Sequence, residues 1–256
     1  MTRIKNAFSK GKAFNPFITV GDPDIDTTIK AIKEMVKNGA DLIELGIPFS
    51  DPTAEGPVIQ NANIRALKGG ITTDQVFEMV KDLRKDIAIP LVFMTYANVV
   101  FSYNAKKFIG RCKEVGIDGL IIPDLPFEEK EEFLPLCHQY GIDLISLIAP
   151  TSNKRIAMIA REAEGFIYLV SSLGVTGMRS EIRTDLAKII KVIKETTDVP
   201  CAIGFGIANA NQAKEMAAIA DGVIVGSAIV KMLEEDGTNA PDRIGRFIRE
   251  MKDAIS

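Results

Sequence analysis

The chain has 256 residues, and its 31 basic and 34 acidic side chains give a net charge of −3. This length suits one large domain or two small ones, and 46% apolar with 25% charged residues is typical of a globular protein. No basic block stands out, so neither nucleic acid nor an anionic membrane is an expected partner. The longest apolar runs are too short to cross a bilayer, and the N-terminus lacks an apolar core of signal-peptide length.

Cysteine and histidine usage excludes two further classes. Cys112, Cys137 and Cys201 are odd in number and far apart, which favours a reducing cytoplasm over a disulfide framework. His138 is the single histidine, and no close cysteine pair accompanies it, so no metal site is expected.

Eight short apolar segments alternate with amphipathic helical patterns along the chain. The predicted strands are 14–20, 41–47, 90–95, 118–122, 142–148, 166–170, 199–203 and 221–225. Helical spacing of Ile4, Ala7 and Phe8 predicts a short helix before the first strand, and 228–233 forms an extra helix after the eighth.

This alternation predicts an α/β fold, a single-domain (β/α)₈ TIM barrel over residues 1–256. A doubly wound open sheet is the competitor, but the Gly-x-Gly-x-x-Gly turn typical of that fold is absent after the first strand. In a barrel, functional residues lie at the carboxyl ends of the strands and in the loops that follow.

Prolines predict two details of the helices. Asp22 is a candidate N-cap with Pro23 at the first helical position, because proline is tolerated in the first turn. Pro135 lies inside the segment after the fourth strand and should kink or delay the helix there.

The second predicted strand carries an acid among aliphatic residues and leads into a polar loop. Glu44 lies between Leu42, Ile43 and Leu45, where a carboxylate is costly unless it is paired or used. Taken alone, the segment is equally compatible with a buried glutamate paired to an arginine or a backbone amide and with a proton donor of raised pKa. Glu55, on the loop, is expected to stay ionised.

Glycines at the last three strand ends predict a phosphate site. They lie in Ser171-Ser-Leu-Gly-Val-Thr-Gly177, Gly204-Phe-Gly206 and Gly226-Ser227, the last at the start of the extra helix. Glycine lets backbone amides approach a ligand, and a helix N-terminus presents free N–H groups and a positive dipole end. The extra helix is therefore predicted to bind phosphate.

Other barrel chemistries lack their residues here. No lysine lies at a strand end for a Schiff base, and one histidine cannot build a metal-dependent aldolase site. Strand five ends at Ile148-Ala-Pro150 and offers no acid for a phosphosugar isomerase. The remaining candidates are Glu44, Glu55, Tyr96 and Tyr168.

Six segments in this order resemble the tryptophan synthase α subunit family over nearly the whole chain. They are Phe17-Ile-Thr-Val-Gly-Asp-Pro23, Glu44-Leu-Gly-Ile-Pro-Phe-Ser-Asp-Pro52, Met94-Thr-Tyr-Ala-Asn98, Gly174-Val-Thr-Gly177, Gly204-Phe-Gly206 and Gly226-Ser-Ala228. The resemblance implies a lyase that splits indole-3-glycerol phosphate by retro-aldol chemistry into indole and glyceraldehyde 3-phosphate, without metal or cofactor.

The resemblance also implies roles for individual residues. Glu44 would transfer the proton to indole, and Glu55 would stabilise the charge on the ring nitrogen. The implied substrate-binding residues are Phe17, Tyr96 and Phe205 around the indole, Gly177, Gly206, Gly226 and Ser227 at the phosphate, Thr176 on a closing loop, and Tyr168.

The resemblance implies a β subunit that uses pyridoxal phosphate, in an α₂β₂ assembly contacted through 51–57 and 124–126. Two departures from the family bear on this: Glu55 stands where aspartate is usual, and the closing loop reads Ser171-Ser172-Leu173. Two alternatives stay open, a weakly catalytic subunit that activates a β subunit and a free-standing indole-producing lyase.

Overall fold

The computed structural model describes residues 2–170, 179–204 and 206–256 and contains one parallel sheet of nine strands. The strands in chain order are β1 Ala13–Thr19, β2 Ile43–Gly46, β3 Leu91–Met94, β4 Gly119–Ile121, β5 Asp143–Leu144, β6 Ser146–Ile148, β7 Ile167–Val170, β8 Cys201–Gly204 and β9 Gly222–Val225. Their order in the sheet is β5-β4-β3-β2-β1-β9-β8-β7-β6.

The two ends of this sheet, β5 and β6, are halves of one predicted strand. The single residue Ile145 joins them, and its N–H donates to the Leu120 carbonyl of β4 at 2.8 Å. β5 pairs with β4 and β6 pairs with β7, so the chain itself closes the ring. The predicted (β/α)₈ barrel is confirmed, with its fifth strand divided at Ile145.

The helices of the described residues surround this ring. They are α1 Arg3–Ala7, α2 Ile25–Lys37, α3 Pro57–Lys68, α4 Thr73–Leu83, α5 Ala97–Tyr103, α6 Ala105–Val115, α7 Leu134–Tyr140, α8 Asn153–Arg161, α9 Arg179–Thr196, α10 Ala210–Ala217, α11 Ser227–Asp236 and α12 Ala240–Ile255, with 3-10 helices at Phe127–Glu132 and Gly237–Asn239. Within the described ranges, none of them has the length and apolar content that a bilayer crossing requires.

The strands separate two apolar clusters. Phe14, Ile18 and Leu45 point outward and pack with the helices, whereas Phe17 and Leu42 point into the barrel. This alternation follows from the two-residue period of a strand. Helix α1 belongs to the inner cluster, because its Ile4 is fully buried there. It closes the amino-terminal end of the barrel and leaves the carboxyl end for the site.

The predicted start of α2 at Asp22 is wrong. Asp24 is the N-cap, and its side chain accepts from the Thr27 N–H. Asp22 is instead buried, and both of its oxygens accept from the Arg65 guanidinium, at 2.8 and 2.9 Å. Because Asp22 lies two residues before the N-cap, its carboxylate is free to pair with a side chain from α3.

The predicted delay at Pro135 is confirmed. A 3-10 helix occupies Phe127–Glu132, and α7 begins at Leu134 with Pro135 in its first turn. Proline is tolerated there because the N–H it lacks would have no partner within the helix. The predicted extra helix after the last strand is α11.

Candidate active site

Glu44 lies on β2 inside the barrel. Its register partners are Phe17 on β1 and Val92 on β3, and its side chain is fully buried. Neither carboxylate oxygen has a hydrogen-bond partner among the described residues, so the interpretation as a paired structural acid is not supported. Burial without compensation raises the pKa of Glu44 well above its ordinary value.

The local sequence places the Glu44 carboxyl group beside the aromatic ring of Phe17. Leu42, Glu44 and Gly46 share the inner face of the second strand. A Cβ atom at Gly46 would stand 2.5 Å from Cζ of Phe17, which only a glycine avoids. Gly46 therefore makes room for the Phe17 ring beside Glu44.

Glu55 is held at the entrance of α3. The helix follows a glycine N-cap, Gly56, and begins at Pro57. Asn63, which is buried one and a half turns into the helix, donates from Nδ2 to Oε2 of Glu55 at 2.7 Å. Gln60 donates to the Glu55 carbonyl at 2.8 Å. The helix thereby fixes both the backbone and the carboxylate of Glu55.

Glu55 is expected from its polar loop to stay ionised, and its surroundings in the fold act on its pKa in opposite directions. The side chain is partly buried, and this burial raises its pKa. Hydrogen bonds from Asn63 and Tyr96 act in the opposite direction and lower the pKa of Glu55. The two acids therefore differ in their hydrogen bonds: Glu55 accepts from these donors, whereas Glu44 has no donor among the described residues.

Tyr96 connects the Glu55 loop to the end of β3. Its hydroxyl oxygen accepts from the Ala54 N–H at 3.2 Å, and its ring stacks on Phe49 with centroids 5.2 Å apart. Burial and the charge of Glu55 raise the pKa of Tyr96, so the phenol stays neutral and donates to the carboxylate. The residue holds the loop in place.

Tyr168 faces Glu44 across the interior from β7. Burial, and after it the charge of Glu44, raise the pKa of Tyr168 well above its ordinary value. The neighbouring Gly204 on β8 makes room for this ring, because a Cβ atom there would overlap the Tyr168 hydroxyl. The side chain is therefore a neutral phenol at the barrel centre.

A cavity of about 200 Å³ lies at the carboxyl end of the strands. Six of the predicted residues line it: Phe17, Glu55, Tyr168, Gly206, Gly226 and Ser227. Met94, Ile59, Ile207 and Ile224 complete its apolar wall. Glu44 and Tyr96 do not line the cavity, although both contact or adjoin residues that do. A larger depression of about 890 Å³, at the opposite end near Phe8, contains none of the predicted residues.

One side of this cavity is suited to an anion. α11 begins at Ser227 after the N-cap Gly226, so its first N–H groups have no acceptor within the helix. Gly206 has a φ of +75°, a conformation that favours glycine, and nothing in the described residues would meet a side chain there. The helix N-terminus and the open backbone therefore present N–H groups of the kind that bind anions.

Three predicted site residues, Thr176, Gly177 and Phe205, lie outside the described residues, as does the rest of 171–178. Asn63, which donates a hydrogen bond to Glu55, is a site residue that was not predicted from the sequence. It lies on α3, a helix that the sequence pattern did not predict, so nothing in the sequence indicated that its side chain would meet Glu55. Met94 and Ile224 were missed because an apolar wall residue does not differ in sequence from a core residue.

A family model described as tryptophan synthase alpha chain matches residues 4–256. The alpha chain of Lacticaseibacillus casei is 48% identical over 255 residues, covering 100% of this chain and 96% of that relative. The alpha chain of Alkaliphilus metalliredigens is 47% identical over 242 residues, covering 94% and 91%.

Solved structures agree with these relatives. Tryptophan synthase subunit alpha from Legionella pneumophila is similar with a TM-score of 0.90 and 36% identity, covering 100% of this chain and 98% of that one. A chain of the tryptophan synthase complex from Pyrococcus furiosus is similar with a TM-score of 0.85 and 32% identity, covering 94% and 98%.

Proposed function

Because the chain belongs to the tryptophan synthase alpha chain family, it is a lyase that acts on indole-3-glycerol phosphate, and we propose that Glu44 and Glu55 perform the chemistry. One observation supports this assignment above the others. A single cavity has Glu55, an aromatic wall and a helix N-terminus on its lining, with a buried, unpaired carboxyl group beside that wall.

Phosphate and indole bind at different parts of this cavity in the proposal. The N–H groups at Gly206, Gly226 and Ser227 bind the phosphate, because they combine free donors with the positive end of α11. Phe17 and Tyr168 contact the indole ring, with Tyr96 behind the loop. Fixing the phosphate orients the ring toward β1, β2 and β7.

Glu44 is the proton donor in this mechanism. Cleavage requires a proton on the indole carbon that leaves the glycerol chain, and an acid with a raised pKa retains that proton at neutral pH. The Glu44 carboxyl group is fully buried and does not line the cavity. Delivery of the proton therefore includes a change of the Glu44 side-chain rotamer toward the cavity.

Glu55 stabilises the positive charge that develops on the ring nitrogen. Its hydrogen bonds from Asn63 and Tyr96 hold a preorganised carboxylate at the cavity wall. After protonation of the ring, a base removes the hydroxyl proton as the aldehyde forms. Glu44, which is ionised at that stage, is the proposed base.

Glu44→Gln tests the assignment. Glutamine keeps the size of the side chain but cannot donate the proton, so indole formation should fall at least ~10²-fold, the usual scale for a positioned acid. Substrate binding, measured by calorimetry, should be retained because the proposed phosphate site is intact. Undiminished indole formation by this variant would refute the role of Glu44.

We further propose a β subunit as the partner, in an α₂β₂ assembly within the cytoplasm, with pyridoxal phosphate bound only by the β subunit. The similarity to the Pyrococcus furiosus complex supports it, as does the exposure of Asp51 and Asp124 in the two predicted contact segments. Indole formation should rise when a β subunit is added, and co-elution in size exclusion should accompany it. A free-standing lyase would show neither effect.

A further inference from the structure

Asn15 is a buried amide that the proposed mechanism does not use. It lies on β1 with 0% exposure, and neither Nδ2 nor Oδ1 has a hydrogen-bond partner among the described residues. Burying an unpaired amide costs about 1–3 kcal/mol in proteins. An apolar side chain would fill the same position without this cost, so the amide needs a reason to be there.

The register places Asn15 diagonally across from Glu44, on the neighbouring strand. Asn15 shares the inward face of Phe17, two residues further along the strand, and Phe17 pairs with Glu44. On its other side Asn15 pairs with Ile224 of β9, which lines the cavity. Asn15 therefore lies diagonally below Glu44, on the neighbouring strand and toward the amino-terminal end of the barrel.

The spacing between Asn15 and Glu44 suits one water molecule between their side chains. A rise of ~3.3 Å per residue and a strand separation of ~4.8 Å put the two Cα atoms ~8 Å apart. Both side chains point into the barrel, where they converge. A buried water takes two to four polar partners, and the amide with the carboxyl group supplies both donors and acceptors.

Most of the side chains that surround Glu44 inside the barrel are apolar. From β1 the nearest inward side chain is Phe17, and from β3 it is Val92, both of which are apolar. From β7 the titratable group that faces Glu44 is Tyr168, which is neutral. Within the described part of the chain, the polar side chains near Glu44 in the interior are Asn15, this phenol and Thr19, whose buried hydroxyl shares the inward face of β1 toward the carboxyl end.

We propose that Asn15 is a positioning residue for Glu44, holding a buried water that donates a hydrogen bond to the Glu44 carboxyl group and sets its proton affinity. The inference rests on the proposed role of Glu44 as the proton donor. A hydrogen bond to the ionised form favours that form. Asn15 therefore keeps the raised pKa of Glu44 low enough for the acid to release its proton and later to recover one.

Asn15→Val and Asn15→Thr form a matched pair for the test, because valine has a methyl group where threonine has a hydroxyl group. An acid that must be protonated loses activity as pH rises through its pKa. Valine removes the water-mediated hydrogen bond that favours ionised Glu44. The pH at which indole formation declines on the alkaline side should therefore rise by roughly one pH unit. Threonine retains a donor and acceptor for the water and should leave that pH near its original value.

Infrared spectroscopy provides a readout that does not depend on turnover. The carbonyl stretch of protonated Glu44 is the band that Glu44→Gln abolishes. It should shift in Asn15→Val and stay in place in Asn15→Thr. If the β-branched variants do not fold, Asn15→Ala and Asn15→Ser provide the same comparison at a smaller volume.

The inference would be overturned if Asn15→Val and Asn15→Thr both kept the pH dependence of indole formation and the Glu44 carbonyl band of the original chain. The same would follow from an Asn15→Val variant that is more stable than the original chain while its pH dependence and band stay in place, since the amide would then be an unpaired core residue. Full activity of Glu44→Gln would instead refute the proposed function. That result is independent of the Asn15 pair.

Discussion

At the scale of single residues, the two acids show how surroundings assign roles to the same functional group. Glu44 has no compensating donor among the described residues, and burial raises its pKa strongly. Burial also raises the pKa of Glu55, but hydrogen bonds from Asn63 and Tyr96 offset part of that increase. The proposed proton donor and the proposed charge stabiliser therefore differ both in their burial and in the hydrogen bonds that they accept.

Glu55→Asp tests whether the longer side chain is used. Aspartate withdraws the carboxylate from Asn63 Nδ2, which now lies 2.7 Å from Oε2, and from the Tyr96 hydroxyl. We expect indole formation to fall about tenfold or more, the scale of a lost hydrogen bond to a charged group. Asp51→Glu, on an exposed part of the same loop, is the control for length alone.

The opposite outcome would favour the alternative function. If Glu55→Asp produced indole much faster than the original chain, the glutamate would be a substitution that weakens catalysis. The chain would then act mainly as an activator of a β subunit.

At the scale of elements, α3 links the two halves of the site. It begins at Pro57, two residues after Glu55. Its Arg65 forms ion pairs with Asp22, in the loop after β1, at 2.8 Å and with Glu234 of α11 at 2.9 Å. α11 in turn provides the N-terminus at the proposed phosphate site. The position of Glu55 relative to that site therefore depends on an ion network of three elements.

Arg65→Leu should destabilise the chain by roughly 2 kcal/mol. Removing one partner of a buried pair costs about 3–5 kcal/mol, and we expect less here because Arg65 is 31% exposed. Asp22 is left buried and unpaired, so Asp22→Asn in the same chain should recover part of the loss. Urea unfolding measures both changes.

Lys85→Met is the matched control, because Lys85 and Asp82 form an ion pair with both side chains more than 60% exposed. Exposed pairs contribute little, so its unfolding curve should overlay that of the original chain. An Arg65→Leu curve that also overlays it would show that the network carries no stability.

At the scale of the whole molecule, stability and chemistry occupy opposite ends of the barrel. α1 closes the amino-terminal end, where Phe8 packs on Phe166 with ring centroids 5.5 Å apart and Ile4 is fully buried. The cavity with Glu55 lies at the carboxyl end. This separation is expected for the fold, in which residues of the amino-terminal face serve stability.

Ile4→Ala should therefore reduce stability without changing the chemistry. Truncation of a buried isoleucine costs about 2–5 kcal/mol. At a temperature where the variant is folded, its rate of indole formation per folded molecule should equal that of the original chain. Lys5→Ala, on the exposed side of the same helix, should change neither quantity, and a rate loss in Ile4→Ala alone would mean that the two ends are coupled.

Local sequence determined much of this molecule. Alternating strand and helix periods predict the barrel, because every two-sided apolar strand must be covered by a helix. Glu44 could be identified because an acid among aliphatic residues is costly, and the glycines at 204, 206 and 226 because close backbone approach needs them. Pro135 likewise marks the start of α7, since its missing N–H suits a first turn.

Tertiary structure decided what depends on neighbours distant in the chain. Asp22 has the sequence of a helix cap, yet Arg65, 43 residues away, pairs with it. The burial of Glu55, the absence of a partner for Glu44 among the described residues and the placement of Asn15 diagonally across from it follow from strand register and loop packing. Protonation depends on desolvation and on nearby donors, and only the folded chain brings these together.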